Sequence, residues 1–569
     1  MEQQARIRID KNNVISEVDN RLYGSFIEHV GRAVYSGIYQ PGHPAADSQG
    51  FRRDVLEYVR ELTVSVTRYP GGNFVSGYNW EDGIGPKEHR PKRLDPAWFA
   101  LEDNKFGLNE FCDWAKAAGT EVMMAINLGT RGAADAKNII EYCNHPSGSL
   151  LSDLRIRHGY LEPHNIKLWC LGNEMDGSWQ IGAKTASEYG RLANEASKIM
   201  KAIDYTIETV ACGSSYEDMK TFGSWEDTVL SECYDNVDYI SLHSYYDNSG
   251  GETQSFLAGG LQMDRYIKRV AGICDGVQAR LGSSKRINLS FDEWNVWYHS
   301  KEEDWSCPRW VKAHKRLEDI YNVGDAVLVG SLLITLINNC DRVKIGCMAQ
   351  LVNAIAPIMT SEKGYAWRQT IFYPFMHASR YGRGTAIRPE IESPKFSCEK
   401  FSDVPHIDGT CVFDENESVL SMFFVNRNIE DDVTAYIDLA GFGAFQVLEE
   451  LRYSNGDIKA VNSSDERTNT LPEPLNETAV TKGIITIRLP RVSWNVLRVK
   501  VGIEEDLKPE IPAEPKPKPE SQIEERKELS FEDIDKELRV EDAENNITGD
   551  DLDDGDSEKL ELGDLEGMF

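Results

Sequence analysis

Two glutamates stand at the ends of short apolar runs: Glu174 follows WCLGN and Glu293 follows LSFD. Two facing carboxyl groups, one protonated and one charged, can break a glycosidic bond. The acid protonates the departing oxygen, and the carboxylate attacks or supports the positive sugar carbon. Each glutamate could instead form a structural ion pair with an arginine at a strand end. Tryptophans at 80, 98, 179, 294 and 297 lie in or near the same segments. Sugars present apolar C–H faces that suit flat aromatic walls, so several tryptophans beside paired carboxylates favour a carbohydrate ligand. Any one of them alone is more often core. No phosphate-cradling or dinucleotide-binding glycine motif follows the first apolar strand, so no nucleotide cofactor is expected.

These residues need a scaffold, and the chain between about 22 and 351 has a regular rhythm. Strand candidates at 22–29, 65–73, 122–129, 166–174, 209–215, 239–246, 287–295 and 343–351 alternate with helical stretches such as 108–119 and 187–203. Eight strands alternating with helices predict an α/β fold, a (β/α)₈ TIM barrel, whose working residues lie at the C-terminal strand ends. The first strand ends in Glu28, the second in Arg68 and Asn73, the fourth in Asn173 and Glu174. The sixth ends in His243 and Tyr245, the seventh in Asp292 and Glu293, the eighth in Gln350 and Asn353. If the fourth and seventh strands face each other across the mouth, Glu174 and Glu293 converge on one ligand.

Thr385–Val501 changes character. Short β-rich runs such as SVLSMFFVNRN and SWNVLRVKV are separated by Asp, Asn and Gly turns, which predicts a small antiparallel β-sandwich. The opening ARIRID is a further strand that could join it. The expected organisation is therefore an N-terminal strand in 1–16 joining the sandwich, a catalytic barrel over 17–384, the sandwich over 385–503, and a tail over 504–569. The tail opens on a proline-rich run and holds 25 acidic against 8 basic residues. It is too poor in apolar groups to offset its conformational entropy, and reads as a disordered acidic segment whose partner is unknown.

The whole chain of 569 residues carries a net charge of −31, which opposes binding to nucleic acid or anionic lipid. No run of about 20 apolar residues is present, so no membrane span is expected. The first residues, MEQQARIRIDKNN, lack the features of a signal peptide, and a cytoplasmic location is expected. Eleven scattered cysteines, with no CxxC and no zinc spacing, read as reduced thiols, and no metal is expected.

Six segments carry a resemblance: GSFIEHVGRAVYSGIY, RYPGGNFVSGYNWEDGIGP, WCLGNEMDGSWQ, SLHSYY, FDEWNVWY and AQLVNAIAPI. Together they closely resemble the α-L-arabinofuranosidases of glycoside hydrolase family 51, over about residues 5–502. The resemblance implies a retaining enzyme with a barrel and a sandwich, and no cofactor. It implies Glu174 as acid/base and Glu293 as nucleophile. It implies Glu28, Asn73, Asn173, Tyr245 and Gln350 as residues holding the terminal arabinofuranose. Arg68 would keep the nucleophile ionised, Trp98 and Trp297 would line the subsites, and His243 would stand behind them. The expected substrates are short arabino-oligosaccharides, and the resemblance implies a homo-oligomer, often a hexamer. The nearest rival is the same machinery on another sugar, as a β-xylosidase or endoglucanase. A non-catalytic sugar-binding protein is disfavoured because both glutamates are present. Cys347 and Met348 depart from the family pattern, and the acidic tail has no counterpart in it.

Overall fold

The computed structural model describes residues 3–304 and 306–503. The expected tail, 504–569, lies outside the described residues.

All eight anticipated runs form strands of one closed parallel barrel. In chain order these are Gly24–Phe26, Val66–Tyr69, Glu121–Ala125, Leu168–Leu171, Glu208–Ala211, Tyr239–Tyr246, Asn288–Val296 and Val343–Ala349. The eighth closes on the first, Met348 beside Ser25. The first, second and fourth strands are shorter than their apolar runs. Glu28, Asn73 and Glu174 therefore stand on the loops just past the ladder, while Tyr245 and Glu293 are still within their strands. Gly24 lets the closing strands approach: a Cβ there would lie 2.6 Å from Val66 Cγ1 and 2.9 Å from the Gly346 carbonyl oxygen. The expected helices appear at Leu108–Ala118 and Ala186–Ile203, the second opened by a Thr185 cap that accepts from the Glu188 N–H. A two-stranded hairpin, Arg93–Asp95 with Ala100–Glu102, projects beyond the second strand and carries Trp98 at its turn.

The C-terminal region forms two sheets packed face to face, one of seven strands and one of five. Strand Gln3–Asp10 joins the smaller sheet, running parallel to Val433–Ala440 with Ile7 beside Ile437. Its alternation buries Ala5, Ile7 and Ile9 against Leu420, Met422, Phe424 and Val499. Truncating one such buried side chain to alanine costs about 2–5 kcal/mol. Helix Val323–Asn338 is apolar on nearly every face because it packs between barrel and sandwich. On it, Gly330 leaves room for Trp494 of the sandwich, whose ring would lie 2.4 Å from a Cβ there. All eleven cysteines are unpaired, eight of them buried. Cys347 and Met348 are fully buried in the barrel wall, away from the cavity surface. Among the described residues no helix is long and apolar enough to cross a membrane.

Candidate active site

The site begins with two irregularities in the barrel ladder. The pairing of the sixth and seventh strands shifts between Ser241 and His243, and the pairing of the seventh and eighth shifts between Phe291 and Trp294. In a regular strand Asp292 and Glu293 would point to opposite faces. The shift re-aims them, and both reach the same charged cluster. Arg68, 1% exposed, donates from Nη1 to Glu293 Oε1 at 2.7 Å and from Nη2 to Asn173 Oδ1 at 2.7 Å. Its Nε lies 3.6 Å from Asp292 Oδ2. Burial opposes the guanidinium charge, but Asp292 and Glu293 hold it on, well above the ordinary arginine value. The other oxygen of Glu293 accepts from the Tyr245 hydroxyl at 2.8 Å. Two donors thus pin this carboxylate.

His243 links the two glutamates. Its Nδ1 lies 3.0 Å from Glu174 Oε1 and 3.8 Å from Glu293 Oε2, and its Nε2 lies 3.2 Å from Asp292 Oδ1. One donor atom from each of Glu174, His243 and Glu293 can be chosen so that all lie within 4.8 Å of one another. That spacing suits two carboxyls that share one anomeric carbon. These three residues are also close enough to hold a cation, yet both ring nitrogens of His243 face carboxylates. Without a cation, such a ring donates from both nitrogens. Burial lowers the imidazole pKa, but Glu293 and the bonds to Asp292 and Glu174 outweigh it and push the value up to about 10.

Glu174 sits at φ +45°, a left-handed conformation rare for a side chain other than glycine or asparagine. The following turn holds it there, with Gly177 N–H donating to the Glu174 carbonyl at 2.9 Å. Such strain costs on the order of 1–3 kcal/mol and is characteristic of sites where side-chain aim matters. The side chain is partly exposed to the cavity, and its Oε2 accepts from the Trp179 indole at 2.7 Å.

Glu28 anchors a second group. Its Oε1 accepts from the Phe74 N–H at 2.9 Å and from the Trp98 indole at 2.7 Å, and Gln350 Nε2 lies 3.3 Å from its Oε2. Gln350 Oε1 in turn accepts from the Glu28 N–H at 2.9 Å. Burial prevails over these donors and pushes the Glu28 carboxyl up to about 8. The loop before Asn73 can pass this close because residue 72 is glycine. A Cβ there would lie 2.3 Å from Glu28 Oε2. Gly72→Ala should therefore displace Glu28 and lower kcat/KM by about 10²-fold, the cost of an ångström-scale misplacement, with little change in melting temperature.

A cavity of about 640 Å³ opens over both groups. Glu28, Asn73, Trp98, Glu174, Tyr245, Glu293, Trp297 and Gln350 line it. Arg68, Asn173 and His243 stand behind that wall, 1–2% exposed. Asn173 gives its oxygen to Arg68, and its Nδ2 approaches Asn73 Oδ1 at 3.4 Å. Trp179 lines the cavity, but Trp80 and Trp294 do not: both are buried in the core. Trp294 follows Glu293 on the opposite face of the strand, and Trp80 packs on Tyr142. Asn353 is a buried loop brace, bonded to the Arg32 carbonyl and Thr360. Sequence reasoning gave Asp292 no role, although its adjacency to Glu293 was a visible signal. Tyr216, Glu217, Asp218 and Gln262 also line the cavity, from segments with no pattern to mark them.

Two raised values at the site contribute to the pH dependence of stability. Glu28 holds a proton in the folded state from about pH 4.5 to about 8, where the unfolded chain has lost it. His243 does the same from about 6.5 to about 10. Each contribution is fully present below the unfolded pKa and lost as pH rises through the folded one, at up to about 1.4 kcal/mol per pH unit. Denaturation midpoints followed with pH should fall on the alkaline side, and His243→Gln should flatten the fall above about pH 7. An equally steep fall in that variant would assign the loss to other groups.

Comparison with known proteins places this arrangement. Residues 58–258 match the α-L-arabinofuranosidase 1 domain, and residues 292–493 match the α-L-arabinofuranosidase C-terminal domain. The chain is 56% identical over 497 residues to an intracellular exo-α-(1→5)-L-arabinofuranosidase of Bacillus subtilis (strain 168), covering 87% of this chain and 99% of that protein. It is 55% identical to the protein of the same name from Halalkalibacterium halodurans, over 87% of this chain and 99% of the relative. A solved family 51 α-L-arabinofuranosidase from Bifidobacterium longum superposes with a TM-score of 0.84 at 44% identity, covering 88% of this chain and all of that one. The barrel, the paired glutamates and these matches agree, and the chain belongs to the α-L-arabinofuranosidases of glycoside hydrolase family 51.

Proposed function

We propose that this protein removes terminal non-reducing α-L-arabinofuranose from arabinan and arabinoxylan oligosaccharides by double displacement. Glu293, held in place by Arg68 and Tyr245, attacks C1 and forms a covalent glycosyl-enzyme. Glu174 protonates the departing oxygen, then takes a proton from the water that hydrolyses the ester. Glu28, Asn73, Asn173, Tyr245 and Gln350 hold the ring, and Trp98 and Trp297 flank it. Of these, Asn173 stands behind the cavity wall; its amide nitrogen is free of Arg68 but lies 3.4 Å from Asn73 Oδ1, and it would turn to the sugar 2-hydroxyl once the ring is bound, a bond that strengthens in an oxocarbenium-like transition state. Both relatives above are named for the α-(1→5) linkage and for an intracellular place. We carry both over as the first linkage to test and as the setting, in which short imported oligosaccharides are the substrate. We also carry over a homo-oligomer from the family resemblance, which light scattering tests.

The observation that supports this reading best is the placement of Glu174 and Glu293 within one sugar ring of each other, with only Glu293 paired to an arginine. Defined α-(1→5)-arabino-oligosaccharides should lose arabinose one unit at a time from the non-reducing end, with the β-free sugar absent from the first product seen by NMR. Rapid xylose release from aryl β-xylosides with no arabinose release would overturn the choice of sugar. A first-formed product of inverted configuration would overturn the mechanism.

A further inference from the structure

The hydrogen bonds of Glu174 pose a problem of proton count. An acid catalyst must carry a proton in the free enzyme, yet both oxygens of Glu174 face donors. Oε1 faces His243 Nδ1 at 3.0 Å, and Oε2 faces the Trp179 indole N–H at 2.7 Å. His243 is a donor at both nitrogens because Asp292 lies at Nε2 and the two glutamates lie at Nδ1. The arrangement therefore offers both oxygens of Glu174 donors and no acceptor. With Arg68 and His243 positive, and Asp292, Glu293 and an ionised Glu174 negative, the cluster would carry one net negative charge in a largely buried place. A protonated Glu174 makes the cluster neutral, the cheaper state to bury.

When Glu174 takes up its proton, one of the two donors has to give way. His243 is 2% exposed and clamped by Asp292. Trp179 is 46% exposed, on the loop after the fourth strand, and its ring stacks on the exposed ring of Tyr216 at 6.1 Å and 17°. The acid's proton also belongs on Oε2, the oxygen that His243 does not hold. That is the position the glycosidic oxygen must reach.

We infer that Trp179 is a positioning residue that caps Glu174 Oε2 in the ionised state and swings off it when Glu174 is protonated or a leaving group arrives. This rests on Glu174 being the acid/base. The indole N–H and the leaving-group oxygen compete for one carboxyl oxygen, so the cap favours the charged form of Glu174 and sets how far into alkali the acid stays loaded. The groups that also face Glu174 are His243 and Tyr245 from the sixth strand, Glu293 from the seventh, Asp176 on its own loop and Tyr266 from helix Gly259–Leu281, with Asp292 behind His243. Removing the cap leaves all of these in place.

Two variants remove the cap by different means. Trp179→Phe keeps a flat ring and loses the N–H. Gly177→Ala keeps the N–H but displaces the ring, because a Cβ at 177 would lie 2.6 Å from Trp179 Cε2. In both, the alkaline limb of kcat/KM for an arabino-oligosaccharide should move up by about one pH unit, the shift that one lost charge-assisted hydrogen bond produces. The limb for an activated aryl arabinofuranoside, which leaves without an acid, should stay where it is in the unmodified enzyme, whatever the absolute rates. A limb that stays put or moves down on the oligosaccharide in both variants overturns the cap. So does an equal move on both substrates, which marks a general disturbance of the site. The acid assignment is tested separately by Glu174→Ala. If that variant loses equally on both substrates, the underlying reading fails, whatever Trp179 does.

Discussion

Glu293→Ala should lose turnover by about 10⁴-fold or more, the scale seen when an enzyme nucleophile is removed. In the folded protein this carboxylate is held at both oxygens, by Arg68 at 2.7 Å and by Tyr245 at 2.8 Å, so it has one aim. Alanine removes the carboxylate proposed to attack and leaves a space beside a guanidinium and a hydroxyl, which suits a small anion. Azide should enter that space and restore turnover on an activated aryl arabinofuranoside. Because azide attacks once, from the face Glu293 used, the glycosyl azide should have inverted configuration. Product analysis by NMR reads the outcome directly. A rescued product of retained configuration would show that another group forms the intermediate.

Glu174→Ala should divide substrates by their leaving groups. General acid catalysis contributes about 10²–10⁴-fold, and that factor should be lost on oligosaccharides, whose departing sugar oxygen needs a proton. Activated aryl glycosides should keep most of their first step and then accumulate glycosyl-enzyme, because the base for the second step is also gone. A burst of phenol release followed by a slow steady state is the expected signature. Equal losses on both substrates would remove Glu174 as the acid. The geometry favours the split. Glu174 faces the cavity from a strained φ of +45° and pairs with no arginine among the described residues, whereas Glu293 is bound to Arg68.

The residue types at the strand ends and the eight apolar runs were legible because both are local. A buried parallel strand reads as a short apolar block, and a polar residue directly after it marks the rim. Arg68, Glu174, His243 and Glu293 could be picked out in this way. The same reasoning also picked Trp80, Trp294 and Asn353, which the structure places in the core or in a loop brace. A tryptophan beside a catalytic-type glutamate looks the same in sequence whether it faces the sugar or the opposite layer. For Trp294 the strand's alternation sends it away from the cavity, and Trp80 is turned into the core against Tyr142.

The sequence by itself determined the inventory: eight strands, a β-rich C-terminal region with a matching N-terminal strand, and the acids, arginine and histidine at the rim. Tertiary structure alone decided which of them converge. Barrel closure brings the fourth, sixth and seventh strands together, so that one imidazole touches both glutamates and Asp292. Ladder shifts turn the successive residues Asp292 and Glu293 to the same cluster. A hairpin and two loops, whose polar sequences have no period, bring Trp98, Trp179 and Tyr216 to the cavity. The physical reason is that periodicity records which face of an element is buried, while convergence depends on pairing register and loop path. Those depend on contacts between residues 49 to 225 positions apart.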